Sequence, residues 1–501
     1  MDRFLSITRR LGPTAFLSLG LFSVDHHKYS RCESSKEPQQ AERISIYAMG
    51  SVGPSLDKTR RGAQRLSFLP EKQWARVTLG EEFGGAVTEN GEAWVWRKRN
   101  GKNNGNSSHT GNAVVRAVTL PGEVRAVDVQ SSQTALWLLG DDGYVYILQG
   151  AGTNGNKGAA VKCPAIPNDV KLSAISVSAA HFVGLDQEGG VWCFGNNSRG
   201  QCAVDPALHG SLLIAKKVSF GKKGRYVREP RAMKVAAGER HTMILDDNGE
   251  VWTWGDDTLL QLGHGDTRWA ANSSSAKLPG ETMKDKKPPS GTSTSRPLVT
   301  YEPFETHLRF TPTKIAELPT DFDKQQTQEL SANRSGHAPE DIFAGYRTSF
   351  LVINDTPFDH IPHHEHHDAV YACGDNEKGQ CGRSLQYPQQ TFMRVRLPKR
   401  IQVQMVQCSS SHCAAWVKRV GHTLGGPDEG LVRDWGIYTW GENIDSKVST
   451  SRRQRDVILP PLDVTKNFPR GRARWLATGP HGTAVIVSEP ISHAIIEEDS
   501  I

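Results

Sequence analysis

Chemistry in this sequence would first be sought at its histidines. Five fall close together, His360, His363, His364, His366 and His367, beside Glu365 and Asp368. Imidazole and carboxylate side chains are ligands for Zn²⁺, Cu²⁺ or Ni²⁺. The stretch NDTPFDHIPHHEHHD stands where a short turn is expected, however, and a loop does not preorganise ligands, so neither a functional metal nor a cofactor is expected. Four more histidines, His181, His241, His412 and His481, recur at one position of a repeating pattern. An active site is needed once, so a recurring side chain is expected to hydrogen-bond inside each repeat rather than act as a base. No Ser-His-Asp order, P-loop or dinucleotide glycine pattern accompanies them. The chain reads as a non-enzyme.

The second chemically pointed stretch is basic. Between Pro206 and Met233, KKVSFGKKGRYVREPR sets Lys216, Lys217, Lys222, Lys223, Arg225, Arg228 and Arg231 around Phe220 and Tyr226. Cations interleaved with aromatic rings suit an acidic protein surface, an RNA backbone or anionic lipid. We take these cations, with Tyr226, as the expected partner-binding residues. Over the whole chain, 60 Lys+Arg against 54 Asp+Glu leave +6 on 501 residues, too little for bulk nucleic-acid binding.

The eight cysteines show no CxxC spacing. Cys193 and Cys373 are read as sharing one repeat position (VWCFG and VYACG), and Cys202 and Cys381 another (GQC). Such residues are expected to be small, unpaired packing groups. Cys408 and Cys413, in CSSSHC, are placed on a strand with no zinc.

The positioning elements emerge from Ala237 to Asp266, AGERHTMILDDNGEVWTWGDDTLLQLGHGD. Met243–Leu245 and Val251–Trp254 are short apolar runs around Asp-Asp-Asn-Gly-Glu, a hairpin with a positive-φ position at Gly249. One hairpin cannot bury its own apolar face, and weaker copies recur. A strand motif that follows a small residue and often carries a histidine begins at 77, 127, 175, 234, 342, 405 and 476. An aromatic strand running into a glycine loop begins at 46, 93, 144, 191, 251, 370 and 437. The aromatic strand comes first with no partner before it, and the chain ends on the other motif. A ring explains this split unit: the N-terminal strand pairs into the C-terminal blade and both exposed edges disappear. The expected fold is all-β, a seven-bladed β-propeller. With 48 Gly, 12 Trp and 37% hydrophobic residues, the composition agrees.

SAAHFVGLDQEGGVWCFGNNSRGQC and the 237–266 unit resemble the repeat of the regulator of chromosome condensation family, whose blades end in a GQLG loop. The resemblance covers 44–488. It is weak in the first two units, where Arg97 replaces the usual glycine, and in the sixth, where Glu442-Asn443-Ile444-Asp445 lacks the loop. It implies the same propeller and a protein-binding role.

Residues 1–35 carry Arg3, Arg9 and Arg10 among hydroxylated residues with few acids, the composition of a mitochondrial presequence. The apolar Leu11–Val24 is shorter than the roughly 20 residues that span a bilayer; its length also fits the core of a secretory signal, against which Ser18, Ser23 and the unpaired cysteines argue. The expected order is presequence 1–35, linker 36–43, propeller 44–488 with a low-complexity insertion at 267–341, and tail 489–501. A presequence before this repeat is similar to fungal mitochondrial members of the family. That likeness implies a monomeric scaffold, associated with the inner membrane or matrix, that binds proteins and assists assembly of respiratory complex III. Two other roles are implied by other relatives: guanine-nucleotide exchange on a mitochondrial GTPase, and work on mitochondrial ribosomal RNA.

Overall fold

The computed structural model describes residues 42–491 apart from 53–61, 98–114, 150–158, 222–228, 266–307, 316–337, 355–366, 384–387, 421–432 and 449–455. The chain opens with β1 (Glu42–Gly50) and β2 (Gln64–Arg65). Blade one follows as β3 (Trp74–Leu79), β4 (Phe83–Thr88), β5 (Ala93–Arg97) and β6 (Val115–Val118). Blade two is β7 (Ala126–Ser131), β8 (Ala135–Gly140), β9 (Val145–Gln149) and β10 (Val161–Lys162). Blade three is β11 (Leu172–Val177), β12 (His181–Asp186), β13 (Val191–Asn196) and β14 (Ser211–Lys217). Blade four is β15 (Ala232–Ala237), β16 (His241–Asp246), β17 (Val251–Asp256) and β18 (Leu308–Lys314). Blade five is β19 (Pro339–Ala344), β20 (Thr348–Asn354), β21 (Asp368–Gly374) and β22 (Gln389–Arg394). Blade six is β23 (Ile401–Cys408), β24 (His412–Arg419), β25 (Trp435–Glu442) and β26 (Val457–Asp463).

Blade seven is built from both ends of the chain. Its order is β27 (Arg472–Gly479), β28 (Gly482–Pro490), β1, β2. β1 lies antiparallel to β28 from Glu42↔Pro490 to Gly50↔Gly482. The first strands of successive blades touch all the way round, β27 returning to β3, so the ring is closed. The seven-bladed propeller expected from the sequence, with its closure by the N-terminal strand, is the fold observed.

Two local features recur. In every blade the first strand bulges where it pairs with the second, leaving one residue unpaired, such as Ala75, Ser173 or Met233. In blades three to six the third strand breaks register near its end, at Gly195, Gly255, Gly374 and Gly441. The extra residues lie on the fourth strand, 213–215 facing Phe194 in blade three, and the glycines beside the shift hold φ of 102–115°, which an L side chain rarely adopts. Blade one carries Arg97 at the same place and shows no break there.

Antiparallel order assigns the connections to two faces. First-to-second and third-to-fourth links lie on one, here the upper face; second-to-third turns and blade-to-blade links lie on the lower. The closing seam between β28 and β1 runs the full depth of blade seven, from Glu42↔Pro490 at the lower face to Gly50↔Gly482 at the upper. The segment 267–341 contains β18, so it holds two connections on opposite faces. The core runs between neighbouring blades. Trp254 of blade four is fully buried among Phe182, Cys193 and Phe194 of blade three, and Trp96 packs with Ile46, Leu79 and Ile486. Among the described residues no helix is long and apolar enough to cross a membrane; Leu11–Val24 lies outside them.

Candidate partner-binding site

The repeated polar residues were the first candidates, and the structure places them between blades. His181 Nε2 lies 2.8 Å from Thr242 Oγ1, His241 Nε2 2.9 Å from Ser349 Oγ, and His412 Nε2 3.0 Å from Thr483 Oγ1. Each partner belongs to the next blade, so bonding confined to a single blade is corrected. Thr242, Ser349 and Thr483 donate their own hydroxyl protons to the carbonyls of Gln201, Gln261 and Lys447. The imidazoles are therefore the donors through Nε2, and Nδ1 is left as an acceptor. Ser178 and Ser409, in the histidine's own blade, meet that Nδ1 at 3.1 and 2.8 Å. In blade four Gly238 takes the place of the serine, and His241 Nδ1 has no partner. His481 is not equivalent: the residue facing the third-strand glycine in blade seven is Gly482.

Burial pushes His181, His241 and His412 down to about 3 from an ordinary 6.5. They are neutral links, unsuited to proton transfer near neutrality. The unfolded chain takes up these protons below about 6.5 while the fold refuses them until about 3. Stability therefore falls as pH drops through that window and is fully present above it. Gln at position 412 keeps a donor for Thr483 and removes one titrating group. His412→Gln is expected to show a shallower loss of urea midpoint between pH 6.5 and 4 than the parent; superimposable slopes would refute this.

The glycine loops position the carbonyls. Asn197 Oδ1 accepts from the Cys202 amide at 2.9 Å, Asp257 from Leu262 at 3.0 Å and Asn376 from Cys381 at 3.0 Å. Asn443 does the same for Val448 at 3.1 Å. Blade six thus keeps the loop geometry without the glycines, correcting its expected absence, and Lys447 stands where the others have Gln. Buried Lys447 binds Ser411 Oγ at 2.7 Å and Glu442 at 2.9 Å, and Lys378 of blade five also reaches Glu442, at 3.3 Å. Glu239 of blade four joins Arg347 of blade five at 3.1 Å and Arg240 at 3.6 Å. These upper-face ion pairs were missed in the sequence. The available signal was a charged residue one or two places before the histidine position.

Cys193, Cys202, Cys373 and Cys381 are buried packing residues, and burial raises their thiols, Cys202 to about 12. Cys193 and Cys373 are not equivalent, because Cys193 sits two places before its third-strand glycine and Cys373 one. Cys408 and Cys413 form a disulfide across β23 and β24, with Cα atoms 4.0 Å apart. The sequence reading placed both on a strand and foresaw no bond between them; the strand pairing sets the two directly opposite each other.

Of the expected partner-binding residues, Lys216 and Lys217 end β14 on the lower rim of blade three, and Arg231 precedes β15 on the same face. Lys217 Nζ is 3.4 Å from Asp186 and 5.8 Å from the Trp192 ring centroid. Lys222, Lys223, Arg225, Tyr226 and Arg228 lie outside the described residues, as do His360, His363, Glu365 and the rest of 355–366. Among the described residues no group of His, Cys, Asp or Glu is arranged to hold a metal ion. Beside Lys216, Leu213 and Ile214 are 86% and 62% exposed, and Leu208 is 75% exposed. Blade three therefore presents apolar side chains on its outer strand and on the upper-face link before it, with the cations at that strand's lower end, a combination suited to protein contact.

Comparison with known proteins supports the repeat. Residues 173–201, 234–261 and 367–416 match the regulator of chromosome condensation (RCC1) repeat. The chain is 31% identical over 121 residues to the human RCC1-like G exchanging factor-like protein, covering 23% of this chain and 24% of that one. It is 33% identical over 90 residues to the human regulator of chromosome condensation, covering 18% and 19%. It thus spans about a quarter or less of the length of the curated relatives it matches. The crystal structure of Prp20p from Saccharomyces cerevisiae, studied with its binding to Gsp1p and histones, superposes with a TM-score of 0.56 at 16% identity. That likeness covers 91% of this chain and 93% of that one, and concerns the fold.

Proposed function

We propose that this chain, a propeller built of regulator-of-chromosome-condensation repeats, is a non-catalytic protein-binding scaffold of mitochondria that assists assembly of respiratory complex III. The observation that carries the scaffold reading is where the repeated polar residues are spent. The recurring histidines, hydroxyls and Gln carbonyls bond one blade to the next inside the ring, which leaves the loops and rims of a rigid disc for recognition. The mitochondrial part rests on the presequence-like composition of residues 1–35 and on the resemblance to fungal mitochondrial members. Lys216, Lys217, Lys222, Lys223, Arg225, Tyr226, Arg228 and Arg231 are proposed to contribute to partner binding.

Deleting the gene and resolving respiratory complexes on native gels tests this directly. Fully assembled complex III is expected to fall while mitochondrial ribosomes stay at normal levels. Normal complex III would end the assembly reading, and earlier loss of ribosomes would favour a role with ribosomal RNA.

A second reading is guanine-nucleotide exchange, favoured by the match to a protein whose name includes G exchanging factor. Purified chain would then accelerate release of labelled GDP from a mitochondrial GTPase. No change over the intrinsic rate would remove that reading.

A further inference from the structure

We infer that the lower face where blades five, six and seven meet binds an acidic segment of a partner protein. Four stretches of chain converge there: the link 395–400, the end of β24, the start of β25, and the link 464–471. Backbone and side-chain bonds fix them to one another. The Val420 amide donates to the Arg400 carbonyl at 2.9 Å. Arg433 donates to the carbonyls of Thr465 at 2.6 Å and Phe468 at 2.9 Å, and Trp435 Nε1 to that of Gly471 at 2.5 Å. Arg419 reaches the Arg433 carbonyl at 3.3 Å. The platform is therefore held by protein contacts before any partner arrives, which lowers the ordering cost of binding.

Lys399, Arg400, Lys418, Lys466 and Arg470 stand on this platform, all exposed. None forms an ion pair with another described residue. One acid lies in the same stretches, Asp434, and Asp463, which ends β26 just before the last of them, is engaged by Arg419 at 2.6 Å. The crowding of positive charge shows on Arg433, whose guanidinium is lowered by burial first and then by Arg470 and Arg419. The segment 421–432 adds Asp428 and Glu429 in sequence and lies outside the described residues.

The surroundings choose among anionic partners. Trp435 and Phe468 are buried, so no ring is offered for stacking a single-stranded base. None of the exposed large apolar residues of the described chain falls in these four stretches, so nothing there would insert into a bilayer. What remains is a fixed array of guanidinium and ammonium groups suited to carboxylates. This deepens the scaffold reading by giving one of its surfaces a partner chemistry.

The test is fluorescence anisotropy of a labelled oligoglutamate peptide with the purified full chain, beside poly(U) and phosphatidylcholine–cardiolipin vesicles. Oligoglutamate should bind and weaken with salt. Lys399→Glu/Lys418→Glu/Arg470→Glu should weaken it about tenfold or more, and Lys399→Glu alone should weaken it more than Lys171→Glu, a single reversal on another lower-face link that serves as the control. The triple variant should keep the parent's thermal midpoint, which guards against loss through misfolding. Equal binding by the triple variant and the parent, or a loss in the control equal to that of Lys399→Glu, overturns the site. Preferential binding of poly(U) or vesicles that the triple variant abolishes overturns the acidic-protein partner. A gene deletion with normal complex III, alongside intact oligoglutamate binding, overturns the assembly reading and leaves this site standing.

Discussion

A chain that begins at Leu66 should not fold as a monomer, and a peptide spanning residues 42–65 should restore it. Without that peptide, blade seven keeps β27 and β28 and loses β1 and β2. Ile44, Ile46, Ala48, Met49 and Val52, each at most 5% exposed, would be gone, and the full edge of β28 would lie open to other chains. Burying larger apolar side chains contributes about 1.5–3 kcal/mol each, so the missing set is on the order of the whole stability of a typical domain. The Trp96 indole, which donates to the Val52 carbonyl at 3.1 Å, would also lose its partner, so blade one should loosen with blade seven. Sedimentation and tryptophan fluorescence, with and without the peptide, would show the result. A truncated chain that is monomeric and melts like the parent would refute the role given to the seam.

The second large effect concerns the tryptophans at the ends of third strands. Trp254 and Trp440 are fully buried. Their indole N–H groups donate to the carbonyls of Gln201 and Gln380 in the preceding blade, at 2.9 and 2.7 Å. Trp254→Ala and Trp440→Ala should each destabilise the fold by about 3–5 kcal/mol through the cavity left between blades. Phenylalanine separates the hydrogen bond from the volume. At 254 the Gln201 carbonyl still accepts from the Thr242 hydroxyl at 2.9 Å. At 440 the corresponding residue is Cys413, which is bonded to Cys408 and has no proton to give. Trp440→Phe should therefore cost about 1–3 kcal/mol more than Trp254→Phe, the penalty of an orphaned buried carbonyl. Urea denaturation of the two variants decides it, and equal costs would mean that the indole bond contributes only packing.

The ring was legible because its signal is periodic and apolar. Val251–Trp254 and its copies are short apolar runs recurring at one place in each repeat, almost wholly buried in the structure, and the split between Ile46 and Val487 forced closure. Outer strands were not legible. Gln64–Arg65 and Val161–Lys162 are two residues each, too short for alternation to show, and β18 hides inside a segment whose flanks are polar. The loop of blade six was misjudged because glycine was taken as its mark, whereas its geometry rests on a side-chain acceptor, Asn443, five residues before the amide it holds. The histidines do bond inside their own blades through Ser178 and Ser409, but the bonds to the next blade were not foreseen, because periodicity gives a residue's place within its repeat and says nothing about which neighbour it faces. The lower-face cations of blades five to seven went unnoticed for a related reason. Lys399 and Arg400, Lys418, and Lys466 with Arg470 come from separate stretches, none as dense in charge as 216–231, and only the fold gathers them.

The seam has a further consequence in time. Tyr47 of β1 binds Glu489 of β28 at 2.7 Å across 442 positions of sequence. Every other blade can pair its four strands from one continuous stretch, as each stretch becomes available. Blade seven holds the first strand made and must wait for the last. Until then β1 is an apolar strand with only the two-residue β2 on one edge and the other edge unpaired, and joining it to β28 carries the largest loop-closure entropy in the molecule. Closure is therefore the step at which folding is slowest and most exposed to aggregation, and the step where a chaperone would have most to do.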